Sequence, residues 1–166
     1  MRRALAAAGC LATIAVADYV IHRRRPRWIL VGLVDHPAHV ATAFLLRRQP
    51  NAAYLAGSLL PDVDHIPLAL REVHPDPADP RPVTHCLLPV LPVAAINRDA
   101  AAGMLAHFVR DLGVGTGVPL LWPLSGKHIR VPYAVYAVLI FTAAYSRSRP
   151  SGAAPAHIPG ASGRGP

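Results

Sequence analysis

The chain has 166 residues, 52% of them hydrophobic, and only 16% are charged, well below the ~25% that is usual in soluble domains. Its net charge of +8 does not indicate nucleic-acid binding, because the arginines cluster at the ends of apolar blocks and no basic face interleaved with aromatic residues is visible. The composition therefore predicts one small helical membrane domain. Its two cysteines, Cys10 and Cys86, form no CxxC motif, which argues against a thiolate zinc site.

The first apolar block, residues 5–21, contains a single charged residue, Asp18, and three arginines follow it at 23–25. Two interpretations are open. The block is either a signal peptide, with residues 15–17 as an A-x-A cleavage site, or a transmembrane anchor. The arginine triplet directly after the block favours a retained anchor. We therefore predict that residues 1–26 form an anchor helix with a basic flank.

Further apolar segments follow along the chain at residues 28–46, 52–60, 86–96, 100–112 and 132–145. In the first of these, Pro37 is expected to kink or restart the helix, with Asp35 and His36 at that interfacial kink. Pro61 is expected to end the second. Residues 71–83 are rich in proline and aspartate and predict a loop, and residues 113–123 predict a re-entrant or capping segment.

Several of these segments are too short to cross a bilayer alone, since a spanning helix needs about 20 residues. The sequence therefore predicts an all-α, multi-pass membrane bundle with short half-spanning helices over residues 27–146. Residues 147–166 are mainly Ser, Gly, Pro and Ala without periodicity and predict a disordered tail.

Ionisable groups gather in short motifs, although the chain has only 9 acidic residues. Asp62, Asp64 and His65 stand together directly after Pro61. This mixture of oxygen and nitrogen ligands suits Zn, Mn or Fe better than Ca. The alternative is a polar turn at a helix end, with an aspartate as cap.

Three other positions add imidazole and carboxylate groups. His107 and Asp111 are four residues apart, so on a helix they share a face and can bind one ion, although the same spacing is typical of an ordinary side-chain pair. His85 follows Thr84, a predicted N-cap, and lies either in the first turn of a buried helix or at a membrane interface. His39 is an ionisable residue inside an apolar segment, which makes it a functional candidate. The remaining histidines outside the motifs are treated as incidental: His22, His74, His128 and His157.

Together the motifs resemble those of the YdjM-type family of LexA-binding, inner-membrane-associated proteins, which are classed as metal-dependent hydrolases. The matching segments are residues 35–39, 59–65, 81–85, 105–111 and 117–123. The resemblance implies a multi-pass protein of the inner membrane with a metal site. Pro80 stands where the family commonly has a histidine before Arg81, and Cys86 stands where a serine usually follows His85. Loss of that histidine weakens a second metal position or removes an acid/base group, and so leaves a single-metal or degenerate site open.

We predict a polar pocket between the helices of the 27–146 domain, lined by His39, Asp62, Asp64, His65, His85, His107 and Asp111. A divalent metal, with zinc as first choice, would activate a water in this pocket. Asp64 is predicted to act as a catalytic base and Arg81 to bind a developing anion, for example on a phosphoryl group.

The expected partners are membrane lipids and a small-molecule or lipid substrate, such as a phosphoester, and no nucleic acid. The alternative is a non-catalytic membrane protein, in which a structural metal or polar cluster recruits a protein partner. An ion pathway would need polar residues through several spans, and the first and last blocks carry almost none.

Overall fold

The computed structural model describes residues 1–24, 27–70 and 84–149. These residues form seven α-helices and one 3₁₀ helix, and the described part of the chain contains no strand beyond a single antiparallel bridge between Val118 and Ile129. The α-helices are α1 Arg2–Arg24, α2 Trp28–Leu46, α3 Ala52–Gly57, α4 Ile66–Leu70, α5 Val90–Ile96, α6 Arg98–Gly113 and α7 Tyr133–Ser148, and the 3₁₀ helix is Leu60–His65. The predicted all-α class is confirmed for these residues. Arg81, the predicted loop at 71–83 and the tail from residue 150 lie outside the described residues.

Two helices have the length and apolar composition of a membrane span, Arg2–Arg24 and Ile29–Leu46. A core helix of a soluble protein or a signal sequence would pass the same test of length and composition. Their outer surfaces, and that of α7, carry exposed large apolar side chains, among them Leu5, Val16, Leu33, Val138 and Phe141. Water-facing surfaces rarely expose so much apolar area, so these helix faces are suited to contact with lipid or with another protein.

The main apolar core lies where α1, α2 and α7 pack together. Small side chains on α1 and α2, including Ala7, Ala17, Ala38 and Ala41, let the two helices approach closely, as small residues do between membrane helices. Tyr136 on α7 packs against the same cluster. This core fixes α2, which carries His39, against the rest of the bundle.

The second important contact joins α3 to α6. A Cβ atom at Gly103 would collide with the backbone of Tyr54 and Ser58, and one at Gly57 would collide with the backbone of Ala100. Both glycines are therefore required by the close approach of two backbones. This contact sets the distance between the end of α3 and the middle of α6, where His107 lies.

Two asparagines cap the helices that meet there. Asn51 accepts a hydrogen bond from the Tyr54 backbone N–H at 2.9 Å, and Asn97 accepts from the N–H groups of Asp99 and Ala100, each at 3.0 Å. Such caps satisfy the free N–H groups at a helix start. Asp99 also contacts Arg47 at 2.6 Å, which ties the start of α6 to the end of α2.

Several local predictions differ from the structure. Helix α2 is not restarted at Pro37 but continues through it, because residues on both sides of the proline, Val34 and Ala38, pack in the same core cluster. Helix α3 ends at Gly57, and Pro61 instead lies at the start of the 3₁₀ helix, where its missing N–H is not needed. Helix α7 extends to Ser148, so the first two residues of the predicted tail, 147 and 148, are helical.

Thr84 is not an N-cap, which corrects the prediction made for it. It lies in a turn, and α5 begins only at Val90, after Pro89. The Thr84 hydroxyl instead donates to the carbonyl of Pro61 at 2.8 Å. That bond fastens the turn carrying His85 to the 3₁₀ helix carrying Asp62.

Candidate metal centre

Side chains from four parts of the fold converge inside the bundle. His39 comes from α2, Asp62 and His65 from the 3₁₀ helix, His85 from the turn before α5, and His107 and Asp111 from α6. All except His65 are buried, and His85 and His107 are completely inaccessible to solvent. Burying so many ionisable groups is unfavourable unless they are paired or bind a cation.

The donor atoms lie at distances that suit a shared cation. In three overlapping groups, one donor atom from each residue lies within 4.8 Å of the other two, namely His39–Asp62–His107, Asp62–His65–His85 and His85–His107–Asp111. Donors about 2.1 Å from one ion are at most about 4.2 Å apart. Nitrogen–oxygen pairs across the cluster lie within that limit, from 3.1 Å between His107 and Asp111 to 4.0 Å between His39 and Asp62.

The orientation of His107 is fixed by its second ring nitrogen. Nδ1 of His107 donates to the carbonyl oxygen of Ser58 at 2.8 Å, so Nε2 is the nitrogen directed at the carboxylates. Nε2 of His107, Nε2 of His85 and both ring nitrogens of His39 are buried without a hydrogen-bond partner. A histidine held by a backbone carbonyl on one nitrogen and unsatisfied on the other has the arrangement of a metal ligand.

Thr84 gives His85 a similar support. Its hydroxyl lies 3.2 Å from Nδ1 of His85 and also hydrogen-bonds Asp64. His39 and His107 stack with ring centroids 3.7 Å apart and planes 7° apart. Each of the buried rings is therefore held by a neighbour, which keeps the donor atoms directed into the cluster.

The electrostatic field of the cluster favours a positive charge. Burial alone would lower the pKa of His107, but the nearby carboxylate of Asp111, with a further contribution from Asp62, raises it to about 9. Burial would raise the pKa of Asp62, but the adjacent rings of His65 and His85 and the charge of His107 hold it well below its usual value. The carboxylate is thus ionised, as a metal ligand must be.

The structure brings together most, but not all, of the predicted site residues. It brings together His39, Asp62, His65, His85, His107 and Asp111. Asp64 lies at the edge, with its side chain 23% exposed and its Oδ1 atom 3.9 Å from Nε2 of His65, and it belongs to none of the three groups. Arg81 lies outside the described residues. Of the incidental histidines, His22 is exposed and His128 half-buried, whereas His74 and His157 are outside the described residues.

Sequence reasoning missed the residues that surround the cluster. Asp35 contacts Nε2 of His39 at 3.5 Å and is itself bound by Arg110, a completely buried guanidinium that also lies 2.8 Å from Asp18. His36, with its side chain 42% exposed, lies 3.4 Å from Asp62. A usable signal was present, because Asp18 and Arg110 are charged residues inside apolar helices, where a partner is expected.

Comparisons with known proteins add no relative. No family model matches the chain, and no curated protein or solved structure matches it. The resemblance to the YdjM-type family therefore depends on the quoted motifs alone.

Proposed function

We propose that the protein is a membrane-bound, metal-dependent hydrolase that acts on an ester or phosphoester with an apolar chain. One observation carries the proposal: unsatisfied nitrogens of three buried histidines, His39, His85 and His107, face the buried carboxylates of Asp62 and Asp111. Imidazole and carboxylate donors suit zinc, which we take as the first candidate. When bound, such a cation lowers the pKa of a water molecule to about 7 and polarises the bond to be cleaved.

The more exposed members of the cluster define the side from which a substrate approaches. His65 is 16% exposed in its side chain, Asp64 23% and His36 42%, whereas His85 and His107 close the opposite side. Oδ1 of Asp64 has no hydrogen-bond partner. This oxygen without a partner supports Asp64 as the general base of the proposed reaction, which would accept a proton from a water.

An apolar groove between α1 and α2 supports an amphiphilic substrate. It has a volume of about 550 Å³, and its lining includes Ala6, Cys10, Val40 and Phe44, with His36 at one end. Phe44 and His36 are eight residues apart on α2, so the groove extends over about 12 Å of helix. An acyl chain lying along it would bring its head group to His36, which contacts Asp62 at 3.4 Å.

The membrane assignment is part of the same proposal. Two helices are apolar enough to span a bilayer, and α1, α2 and α7 expose apolar side chains on their outer faces. The motif resemblance to the YdjM-type family supports a multi-pass protein of the inner membrane. A substrate drawn from the bilayer would reach the groove without leaving the lipid phase.

The second candidate is a non-catalytic protein with a structural metal that recruits a partner. The near-complete burial of His39, His85 and His107 favours it, because structural sites are closed to solvent whereas catalytic sites keep an open position. The two candidates differ in whether the loaded protein turns over an ester.

The test uses the full chain purified in detergent. Metal content is measured by inductively coupled plasma mass spectrometry, and hydrolysis of p-nitrophenyl phosphate, bis(p-nitrophenyl) phosphate and p-nitrophenyl esters of several chain lengths is followed with and without EDTA. Stoichiometric metal with EDTA-sensitive hydrolysis supports the proposal. Stoichiometric metal without turnover of any of these esters favours the structural candidate, and a metal-free protein that cannot be loaded overturns both.

A further inference from the structure

We infer that the cluster holds two divalent cations bridged by the carboxylates of Asp62 and Asp111. This inference deepens the proposed function and rests on the cluster binding metal at all. It goes beyond the single-metal or degenerate site that the proline at position 80 left open.

The two oxygens of Asp62 face different sets of histidines. Oδ1 lies 3.1 Å from Nδ1 of His65 and 3.4 Å from Nε2 of His85. Oδ2 lies 3.4 Å from Nε2 of His36 and 4.0 Å from Nε2 of His39. A carboxylate whose oxygens are each directed at a separate group of nitrogen donors has the orientation of a bridging ligand rather than of a ligand to one ion.

The two oxygens of Asp111 also face different histidines, as those of Asp62 do. Oδ2 lies 3.1 Å from Nε2 of His107 and 3.6 Å from Nε2 of His85, and Oδ1 lies 3.7 Å from Nε2 of His39. Both carboxylates thus present one oxygen towards His85 and the other towards His39. Two carboxylates with this shared orientation are suited to two cations about 3.5–4 Å apart, the separation found in two-metal hydrolytic sites.

The number of donors exceeds what one ion can use. The first metal position is rich in histidine. Its donors are His65, His85 and His107, together with one oxygen from each bridging carboxylate. The second position has His39 and the other two oxygens, with Asp35 3.5 Å from Nε2 of His39. A zinc ion usually takes four ligands, so the donors in the cluster fill two coordination spheres.

The charge of the cluster also favours two divalent ions. The acids in and around the cluster are Asp18, Asp35, Asp62, Asp64 and Asp111, and among the described residues Arg110 pairs with two of them, Asp18 and Asp35. The net charge of these six residues is −4, so one divalent ion leaves negative charge uncompensated in a largely buried place, which is unfavourable. A second divalent ion removes that excess.

The experiment is metal counting combined with spectroscopy on the full chain in detergent. The protein is stripped with a chelator, reloaded with Mn²⁺, and measured by plasma mass spectrometry and electron paramagnetic resonance. We expect about two ions per chain and the exchange-coupled spectrum of a Mn²⁺ pair. His39→Ala and, as a milder change, Asp35→Asn should each lower the content towards one ion and replace the coupled spectrum with the six-line signal of an isolated ion.

The control is His22→Ala, at an exposed position on α1, which should keep two coupled ions. Circular dichroism verifies that each variant is folded. One ion per wild-type chain with an uncoupled spectrum overturns the bridged pair and leaves the proposed hydrolase standing. No bound ion overturns both, and two coupled ions retained in folded His39→Ala and Asp35→Asn overturn the assignment of the second position.

Discussion

Arg110 donates two hydrogen bonds, at 2.9 and 2.6 Å, to one oxygen of Asp35, whose other oxygen lies 3.5 Å from Nε2 of His39. The guanidinium is completely buried, and it also lies 2.8 Å from Asp18 on α1 and donates to the hydroxyl of Tyr136 on α7 at 3.2 Å. Four helices therefore meet at one cation. Through Asp35, the packing of these helices is coupled to the position of a candidate metal ligand.

Replacing that cation should be severely destabilising. Arg110→Met leaves the buried Asp18 and the half-buried Asp35 as uncompensated carboxylates, and removing one member of a buried ion pair typically costs about 3–5 kcal/mol. We expect a large drop in the melting temperature in detergent, whereas Arg98→Met, at an exposed position on the same helix, should leave it nearly unchanged. Adding Asp18→Asn and Asp35→Asn to Arg110→Met should recover part of the loss. Equal melting temperatures for the two single variants would contradict the network.

Asp62→Asn and His107→Ala should each reduce the amount of bound metal. Asp62 contacts His36, His39, His65, His85 and His107, and the amide keeps the size of the side chain while removing its charge. His107→Ala removes a nitrogen donor that is already aligned by Ser58. Metal affinity should fall by 10-fold or more, on the order of the losses seen for ligand-shell changes.

The measurement is a competition titration with a chromophoric chelator. His22→Ala is the control, because its side chain is on the exposed surface of α1. Unchanged affinity in both cluster variants would remove the physical basis of the metal site.

Gly103→Ala should disturb both stability and the metal site. The added methyl group would meet the backbone of Tyr54 and Ser58, so α3 and α6 must separate. Overpacking of this kind usually costs about 1–3 kcal/mol, and the movement displaces the Ser58 carbonyl that holds His107. Gly9→Ala is the matched control, since a Cβ atom there has no neighbour within 4 Å. Thermal unfolding and metal affinity are measured together, and a variant with wild-type values of both would contradict the tight contact.

Filling the apolar groove should impair long-chain substrates selectively. Val40→Trp places a large ring in the groove between α1 and α2, whereas Leu33→Trp changes an exposed position on the same helix that does not line it. We expect Val40→Trp to raise KM for long-chain p-nitrophenyl esters by about 10-fold or more, a loss of at least ~1.4 kcal/mol of binding, with little effect on short-chain esters. A loss that is independent of chain length would argue against an acyl chain in this groove.

The N-terminal helix should remain in the mature protein. Asp18 contacts Arg110 and accepts a hydrogen bond from the Tyr133 hydroxyl at 2.8 Å, so cleavage after Ala17 would remove most of the helix that holds this acid in the core. Intact-mass measurement of the membrane-extracted protein should show residues 1–17 attached. A mass that corresponds to an N-terminus at Asp18 would be the contrary result.

Local patterns predicted much of this structure. The apolar block at 28–46 coincides with α2, and the four-residue spacing of His107 and Asp111 places both on one face of α6. These features depend on residues close together in the chain. The partners of Arg110 could not be derived in this way, because Asp35 is 75 residues away and the pairing exists only once α2 and α6 have packed.

The same reason explains the wrong prediction for Thr84. A threonine before an apolar segment is a common helix cap, but the Pro61 carbonyl, 23 residues earlier, becomes its hydrogen-bond acceptor in the folded chain. Tertiary packing also determines the helix at Pro37, since the core contacts of Val34 and Ala38 keep α2 continuous through the proline. Short sequence patterns were enough to identify the candidate ligands. Long-range packing determines which other side chains hold those ligands in place.

The complete burial of His85 and His107 has a kinetic consequence. A cation held by these two rings would leave past His65 and His36, the more exposed members of the cluster. Exchange with free ions in the medium would therefore be slow, and chelator stripping and competition titrations would need long incubation to reach equilibrium. The metal found in a freshly purified preparation would then reflect the ions present when the chain folded, rather than those in the buffer.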